Sequence, residues 1–279
     1  MRFTPLLAGG LLALSAPAFA QDAAPNGPDQ AATTGDTAPP PALKVTGGVT
    51  LVTDYRFRGL TQTDGEPAIQ GTINVNHESG FYIGSWASTI DGGADGSTPA
   101  LTGYGGAEVD LYGGYTRTFA SGVGIDAGLL YYFYPGGRRG QKTDYFEPYA
   151  SVSYTLGPIA AKAGLAYAWG GQAGLDFTRG RDDSIYAYVE GSAGVPTTPL
   201  TLKAHGGHTA GSLGLDNPTL ADDDYWDWSV TAEYVRGPFK AGISYVDTDI
   251  TNARVPGIGR FADRLGRDAT VLGYVGVSF

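Results

Sequence analysis

The stretch "VTDYRFRGLTQTDGEPAIQG", Val52 to Gly71, decides how the chain is read. Extended back to Val45, its first half alternates strictly. Val45, Gly47, Val49, Leu51, Thr53, Tyr55 and Phe57 form one row, and Thr46, Gly48, Thr50, Val52, Asp54, Arg56 and Arg58 the other. Successive side chains of a strand point to opposite faces, so charge gathers on one face and aromatic surface on the other. A water-soluble sheet would turn the aromatic row toward a core. The run is far longer than the about five or six residues of an ordinary strand, whereas a tilted membrane strand needs about 9 to 11. The alternation therefore predicts an inverted arrangement, with Tyr55 and Phe57 toward lipid and Asp54, Arg56 and Arg58 toward an aqueous interior.

The same period repeats along the chain. Candidate strands fall at 44–58, 68–77, 81–90, 107–119, 123–134, 145–156, 159–169, 184–193, 200–210, 226–235, 239–247 and 269–279, twelve in all. An even number is what single-chain bacterial barrels contain. Connections alternate between tight turns ("ESG", "ASG", "GP", "GVPTTP", "GP") and long polar loops such as "PGGRRGQKTD". A barrel with short periplasmic turns and long external loops predicts that asymmetry. The fold class read from the sequence is thus all-β, a transmembrane antiparallel up-and-down β-barrel of about twelve strands.

Composition agrees. Among 279 residues there is no Cys, which excludes disulfides and thiolate metal sites, and a net charge of −10 argues against a nucleic-acid partner. At the N-terminus, Arg2, the apolar run Leu6 to Leu14 and Ala18-Phe19-Ala20 read as a signal peptide over residues 1–20. The apolar run is too short to span a bilayer as a helix. Residues 21–42, "QDAAPNGPDQAATTGDTAPPPA", lack any aromatic and read as a disordered periplasmic tail. Residues 43–279 form the barrel.

On this register the lumen row includes Asp54, Arg56, Arg58, Glu108, Asp110, Asp126, Lys162, Glu190, Lys203 and Glu233 as candidate pore-lining residues, with Gln70, Asn74, Asn76, Glu147, Asp227 and Lys240 beside them. Eight acids against five bases could select permeants by charge, or pair and plug a narrow barrel. Tyr55, Phe57, Trp86, Tyr167, Trp169, Trp226, Trp228, Tyr245 and Phe279 are candidate membrane-interface aromatics. The last strand, "ATVLGYVGVSF", with Val271, Val275, Val277 and Phe279 on one face, is similar to the C-terminal signature by which the barrel-assembly machinery recognises outer-membrane proteins.

Residues 53–88, from "TDYRFRGLTQTDGEPAIQG" to "HESGFYIGSWAS", resemble the N-terminal signature of the TorF porin family of Gram-negative outer membranes. The resemblance implies a porin-like barrel in the cell outer membrane and no particular substrate. No other motif carries chemistry. His205 and His208 lie three apart, on opposite faces of a strand, and cannot readily share a metal. No G-x-S-x-G elbow supports an outer-membrane lipase, which would have to use Ser212 and His208. Neither an enzyme nor a cofactor site is expected. "ADDD", Ala221 to Asp224, is an external acidic loop that could hold calcium, and Arg138, Arg139 and Lys142 could meet lipopolysaccharide phosphates. The expected function is passive diffusion of small hydrophilic solutes through a charged lumen. Its competitor is a non-conducting structural or adhesive barrel that acts through its loops. Expected partners are outer-membrane lipid, lipopolysaccharide and the assembly machinery; nothing marks an oligomer interface.

Overall fold

The structure, a computed structural model, describes residues 42–92, 101, 103–175, 183–214, 224–250, 254–255, 259–260 and 266–279. The signal peptide, the tail up to residue 41 and Ala221 to Asp223 of the acidic loop lie outside the described residues.

Strands run in chain order as β1 (Leu43–Val52), β2 (Arg56–Phe57), β3 (Leu60–Thr61), β4 (Ala68–His77), β5 (Phe81–Gly92), β6 (Gly105–Thr118), β7 (Val123–Phe133), β8 (Tyr145–Leu156), β9 (Ile159–Ala168), β10 (Ser184–Gly194), β11 (Leu200–Gly211), β12 (Asp224–Arg236), β13 (Phe239–Thr248), β14 (Arg254–Val255), β15 (Gly259–Arg260) and β16 (Thr270–Ser278). Twelve of them, all but the two-residue pieces β2, β3, β14 and β15, close into an antiparallel barrel in which each strand pairs with its neighbours and β16 pairs with β1. Closure leaves no edge whose unpaired N–H and C=O groups would face lipid. Both ends of the barrel sequence, Leu43 and Phe279, sit at the tight-turn end, where Phe279 exchanges backbone hydrogen bonds with Gly47 at 2.9 and 3.1 Å.

The exterior is apolar. Val45, Val49, Leu51, Ile69, Ile73, Ile83, Leu165, Val189, Leu202, Val230, Ile243, Val271 and Val275 are all exposed, and their inward neighbours are covered. This is the lipid-facing alternation of a transmembrane barrel.

The interior explains the abundance of Gly and Tyr, 44 and 18 residues. Tyr82, Tyr112, Tyr149, Tyr188 and Tyr274 point inward and lie across Gly114, Gly84, Gly128, Gly164 and Gly242, their register partners on adjacent strands. A Cβ at any of these glycines would run into the ring beside it. Each Tyr thus fills the hollow that its partner Gly leaves, a cross-strand pairing that shields bare backbone and fixes register.

One element departs from the sequence reading. The first strand stops at Val52, not Arg58. Its last pairs are Val52 with Ala68 on one side and with Tyr274 on the other. The next position opposite Thr53 is Pro67, which has no N–H to give to the ladder. From there the chain turns into the lumen as a tight hairpin, β2 against β3, with Arg56 paired to Thr61 and Phe57 to Leu60. Arg58 and Gly59 have φ of 47° and 82°, the positive φ at both central residues that a two-residue type I′ hairpin turn requires.

Val230 lies near the middle of β12 and is 58% exposed on the outer face. Val230→Arg should lower the unfolding free energy of the refolded barrel in lipid vesicles by about 2–4 kcal/mol. A change below about 0.5 kcal/mol, as at an ordinary surface, would mean that this face does not meet lipid.

Candidate functional site

The inward hairpin and the wall around it form the candidate site. Asp54 organises the hairpin from within. Its Oδ1 accepts from Thr61 Oγ1 at 2.6 Å and Thr63 Oγ1 at 3.0 Å, and its Oδ2 from Arg56 Nε at 2.5 Å. Thr63 Oγ1 in turn accepts the Tyr55 N–H, and Tyr55 C=O accepts the Gln62 N–H. Arg56 also donates to the carbonyls of Gly59 and Gly266, tying the hairpin to the segment that leads into β16.

Toward the barrel, the hairpin touches the wall almost all round. Tyr55 packs on Trp86 of β5 with centroids 5.3 Å apart, and Asp91 N–H donates to Gln62 C=O. Phe57 meets Tyr132 of β7 edge-on. Gly59 lies beside Asp227 of β12 and Thr248 of β13. Arg58 reaches furthest. Its Nη2 donates to both carboxylate oxygens of Glu147 on β8 at 2.9 Å, and its guanidinium carbon stands 4.3 Å from the Tyr186 ring centroid on β10. β8 and β10 flank the strand diametrically opposite β1 in the ring, so the side chain crosses the lumen. Arg58 is 2% exposed. At such burial an ion pair holds only with good geometry and further hydrogen bonds, and Tyr132 supplies one, its OH donating to Glu147 Oε2 at 2.9 Å.

Below the hairpin, toward the tight turns, charges form a zigzag of opposite signs. Tyr82 OH donates to Asp126 Oδ1 at 2.6 Å and shares a 2.5 Å hydrogen bond with Tyr149 OH. Lys162 lies 3.9 Å from Glu190, and Lys203 2.6 Å from Glu233, which also accepts from Tyr274 OH. His205 links the two levels. Its Nδ1 is 3.5 Å from Glu190, and its Nε2 meets Tyr186 OH at 2.8 Å and Asp227 at 3.2 Å. The residue whose ring supports Arg58 is therefore hydrogen-bonded to the one inward-facing histidine among the described residues.

Every predicted pore-lining residue faces inward. Asp54, Arg56, Arg58, Glu108, Asp110, Lys162 and Glu233 are buried, and Asp126, Glu190 and Lys203 are half-buried. Asp54, Arg56 and Arg58 come together in the hairpin, although they are not on a wall strand. Glu108 and Asp110 lie on β6, with Tyr134 OH 3.5 Å from Glu108. Asp64, at the foot of the hairpin, has its carboxyl raised above the ordinary value, first by desolvation and then by Asp91, Asp54 and Glu66.

Three of the expected interface aromatics are elsewhere. Tyr55 is 0% exposed, Phe57 stacks inside the lumen, and Trp86 is on the inward row of β5 against Tyr55. The cause for the first two is the end of β1 at Val52; for Trp86 it is strand parity, since it follows Tyr82 and Gly84 on one row. Tyr167, Trp169, Trp226 and Tyr245 are exposed at the long-loop end, with Trp228 partly covered on the same row as Trp226, and Phe279 is exposed at the tight-turn end. Among the described residues no group of metal-ligating side chains gathers, and His208 packs on Trp226 outside while His205 points in. Of the residues that hold Arg58, Glu147 is on the lumen row read from the sequence, whereas Tyr132 and Tyr186 are not singled out there; the available signal is Tyr on the same row as acids.

Asp54→Ala removes the hub of the hairpin and leaves Arg56 without its carboxylate, a change worth about 3–5 kcal/mol when a buried pair is broken. We expect an intact barrel in which trypsin cuts after Arg56 and Arg58, while wild type resists. Asp54→Asn, which keeps acceptors for Thr61 and Thr63, should be intermediate. Equal resistance in all three would place the hairpin's stability outside the Asp54 network.

Among solved structures, the NanC porin matches with a TM-score of 0.51 at 14% identity, over 85% of this chain and 99% of that one. An outer-membrane channel from Pseudomonas putida F1 matches with 0.48 at 12% identity, over 86% and 96%. The outer-membrane channel DcaP of Acinetobacter baumannii gives 0.42 at 11%, over 85% and 97%. At this identity the first likeness is one of fold, a porin-like closed barrel. Curated protein sequences give no match. A family described as a bacterial protein of unknown function, Gcw_chp, matches over residues 36–279, which includes all twelve barrel strands and the hairpin. The chain belongs to the Gcw_chp family of bacterial proteins.

Proposed function

We propose that this barrel is an outer-membrane channel for passive diffusion of small hydrophilic solutes, closed at rest by the Asp54–Thr63 hairpin. The observation that carries the reading is the hairpin itself. A barrel that served only as a scaffold could fill its lumen with wall side chains, as narrow barrels do. Here the filling is a tethered segment, entered and left through the long-loop end, packed on the near walls and reaching the far wall through Arg58. Such a segment can leave without breaking a strand-to-strand pair of the barrel ladder. The TorF resemblance of residues 53–88, which spans the hairpin, β4 and most of β5, supports the same reading, as does the charged inward row beneath it.

Selectivity in this reading comes from the walls left behind. Rings of side-chain charge select permeants by sign, and lowering the hairpin's occupancy changes both aperture and charge. Export by the signal peptide, assembly through the Val271-Val275-Val277-Phe279 face and contact of Arg138, Arg139 and Lys142 with lipopolysaccharide phosphates complete the proposal.

The test is single-channel recording in planar bilayers of wild type and of a variant in which residues 54–65 are replaced by a short Gly-Ser linker. Wild type should give small or infrequent steps; the variant should give steady ohmic steps larger by about threefold or more, as expected when a narrow barrel loses its filling. A heat-modifiable, folded variant that stays silent would favour the alternative, a non-conducting barrel that works through its external loops.

A further inference from the structure

We propose that the place occupied by Arg58 is a permeant-binding site. It recognises the guanidinium group of a small organic cation, and the chain's own arginine fills it as a tethered ligand. The inference rests on the channel reading above and names the solute class that the channel takes.

The wall half of the site is built without the hairpin. Glu147 offers both carboxylate oxygens to one side of the lumen, and Tyr132 on the neighbouring strand holds it by donating to Oε2. Tyr186, two strands away, presents its ring face, fixed at the OH by His205 and Asp227. A planar, delocalised cation lying over an aromatic face with a carboxylate at its edge is the geometry that guanidinium satisfies better than ammonium. On the opposite side the hairpin contributes Phe57, whose ring centroid is 4.7 Å from the Arg58 guanidinium.

Charge points the same way. The strand walls of this half of the lumen carry Glu108, Asp110, Glu147 and Asp227, and among the described residues no strand adds a Lys or Arg there. Lys162, Lys203 and Lys240 all lie toward the tight-turn end of their strands. Arg56 and Arg58 both arrive on the hairpin, where Arg56 pairs with the hairpin's own Asp54 and Arg58 with Glu147 of the wall. When the hairpin leaves, Arg58 goes with it, and a cation of the same shape is what Glu147 and the Tyr186 ring would take up. Arg58 is the first central residue of the type I′ turn, with φ of 47°, so it stands at the tip of the hairpin, from which its side chain reaches Glu147 on the far wall.

Chemical rescue tests the proposal on the full-length protein. Arg58→Ala is refolded in detergent and checked by heat modifiability. It should melt below wild type, and about 10 mM methylguanidinium, a range suited to millimolar affinity, should restore part of the lost Tm, with methylammonium less effective. In planar bilayers the same variant should conduct with cation preference, and methylguanidinium should reduce its current about threefold more than methylammonium does. Adding Glu147→Gln to Arg58→Ala should abolish both effects while the barrel still folds and conducts. Conductance without any methylguanidinium effect would overturn the site and leave the channel standing. A silent Arg58→Ala barrel whose Tm still rises with methylguanidinium, and not in the double variant, would support the site and remove the channel reading. Rescue that persists with Glu147→Gln would overturn the site as described.

Discussion

Inside a bilayer no water is present to satisfy the backbone, so every N–H and C=O must pair within the protein, and a sheet can meet that demand only by closing on itself. The rest of this structure follows from closure at twelve strands. A ring of this size lies between eight-stranded barrels whose side chains fill the interior and sixteen-stranded ones that enclose open water. Its lumen is wide enough to admit a hairpin and narrow enough for one arginine to reach the far wall. The Tyr and Gly pairs are the local answer to the same constraint. Inward glycines let the walls curve, and tyrosines from the next strand cover the exposed backbone while keeping a hydroxyl for the polar interior.

A polar lumen at low dielectric magnifies every charge it contains. The outer half of the wall carries acids that would repel one another if the interior were dry, and a buried carboxylate without a partner is costly. The hairpin brings Arg58 to Glu147, so its docking adds an ion pair to the packing contacts. It also explains why the inner half is arranged differently: there Lys162 with Glu190 and Lys203 with Glu233 pair strand to strand, and no inserted segment is needed. His205 joins the halves through Tyr186, which places the only inward histidine among the described residues in the support of Arg58.

Most of the barrel was legible in the sequence because lipid outside and polar groups inside impose period two on every wall strand. All twelve strands, the alternation of tight and long connections and the inward direction of every charged candidate on a wall strand follow from that pattern. The hairpin was not legible by the same rule, because Val52 to Arg58 continues the alternation into a segment that no longer spans the membrane. Tyr55 and Phe57 stay on one row and Asp54, Arg56 and Arg58 on the other, but both rows are inside. The informative residues were elsewhere: Pro67, unable to pair opposite Thr53, and the Arg58-Gly59 step, suited to a tight turn. Trp86 was misplaced for a simpler reason, since an aromatic near a strand end was read as interfacial without regard to the parity set by Tyr82. The partners of Arg58 lie 89 and 128 residues away along the chain, and register across six strands, which local sequence does not encode, brings them together.

The tether sets the terms on which such a hairpin can yield. A ligand linked by a short segment acts on its site at an effective concentration on the order of millimolar or more. A free guanidinium compound with similar contacts therefore competes only when it approaches that concentration at the barrel mouth. The exchange costs little in enthalpy, because Glu147 and Tyr186 trade one planar cation for another. A solute shifts an equilibrium only by its difference in affinity for the two states. An anion or a neutral sugar gains nothing from displacing Arg58, since neither can replace the charge that pairs with Glu147. Recognition and opening thus become one event at one site: the solute that satisfies the wall is the solute that frees the passage.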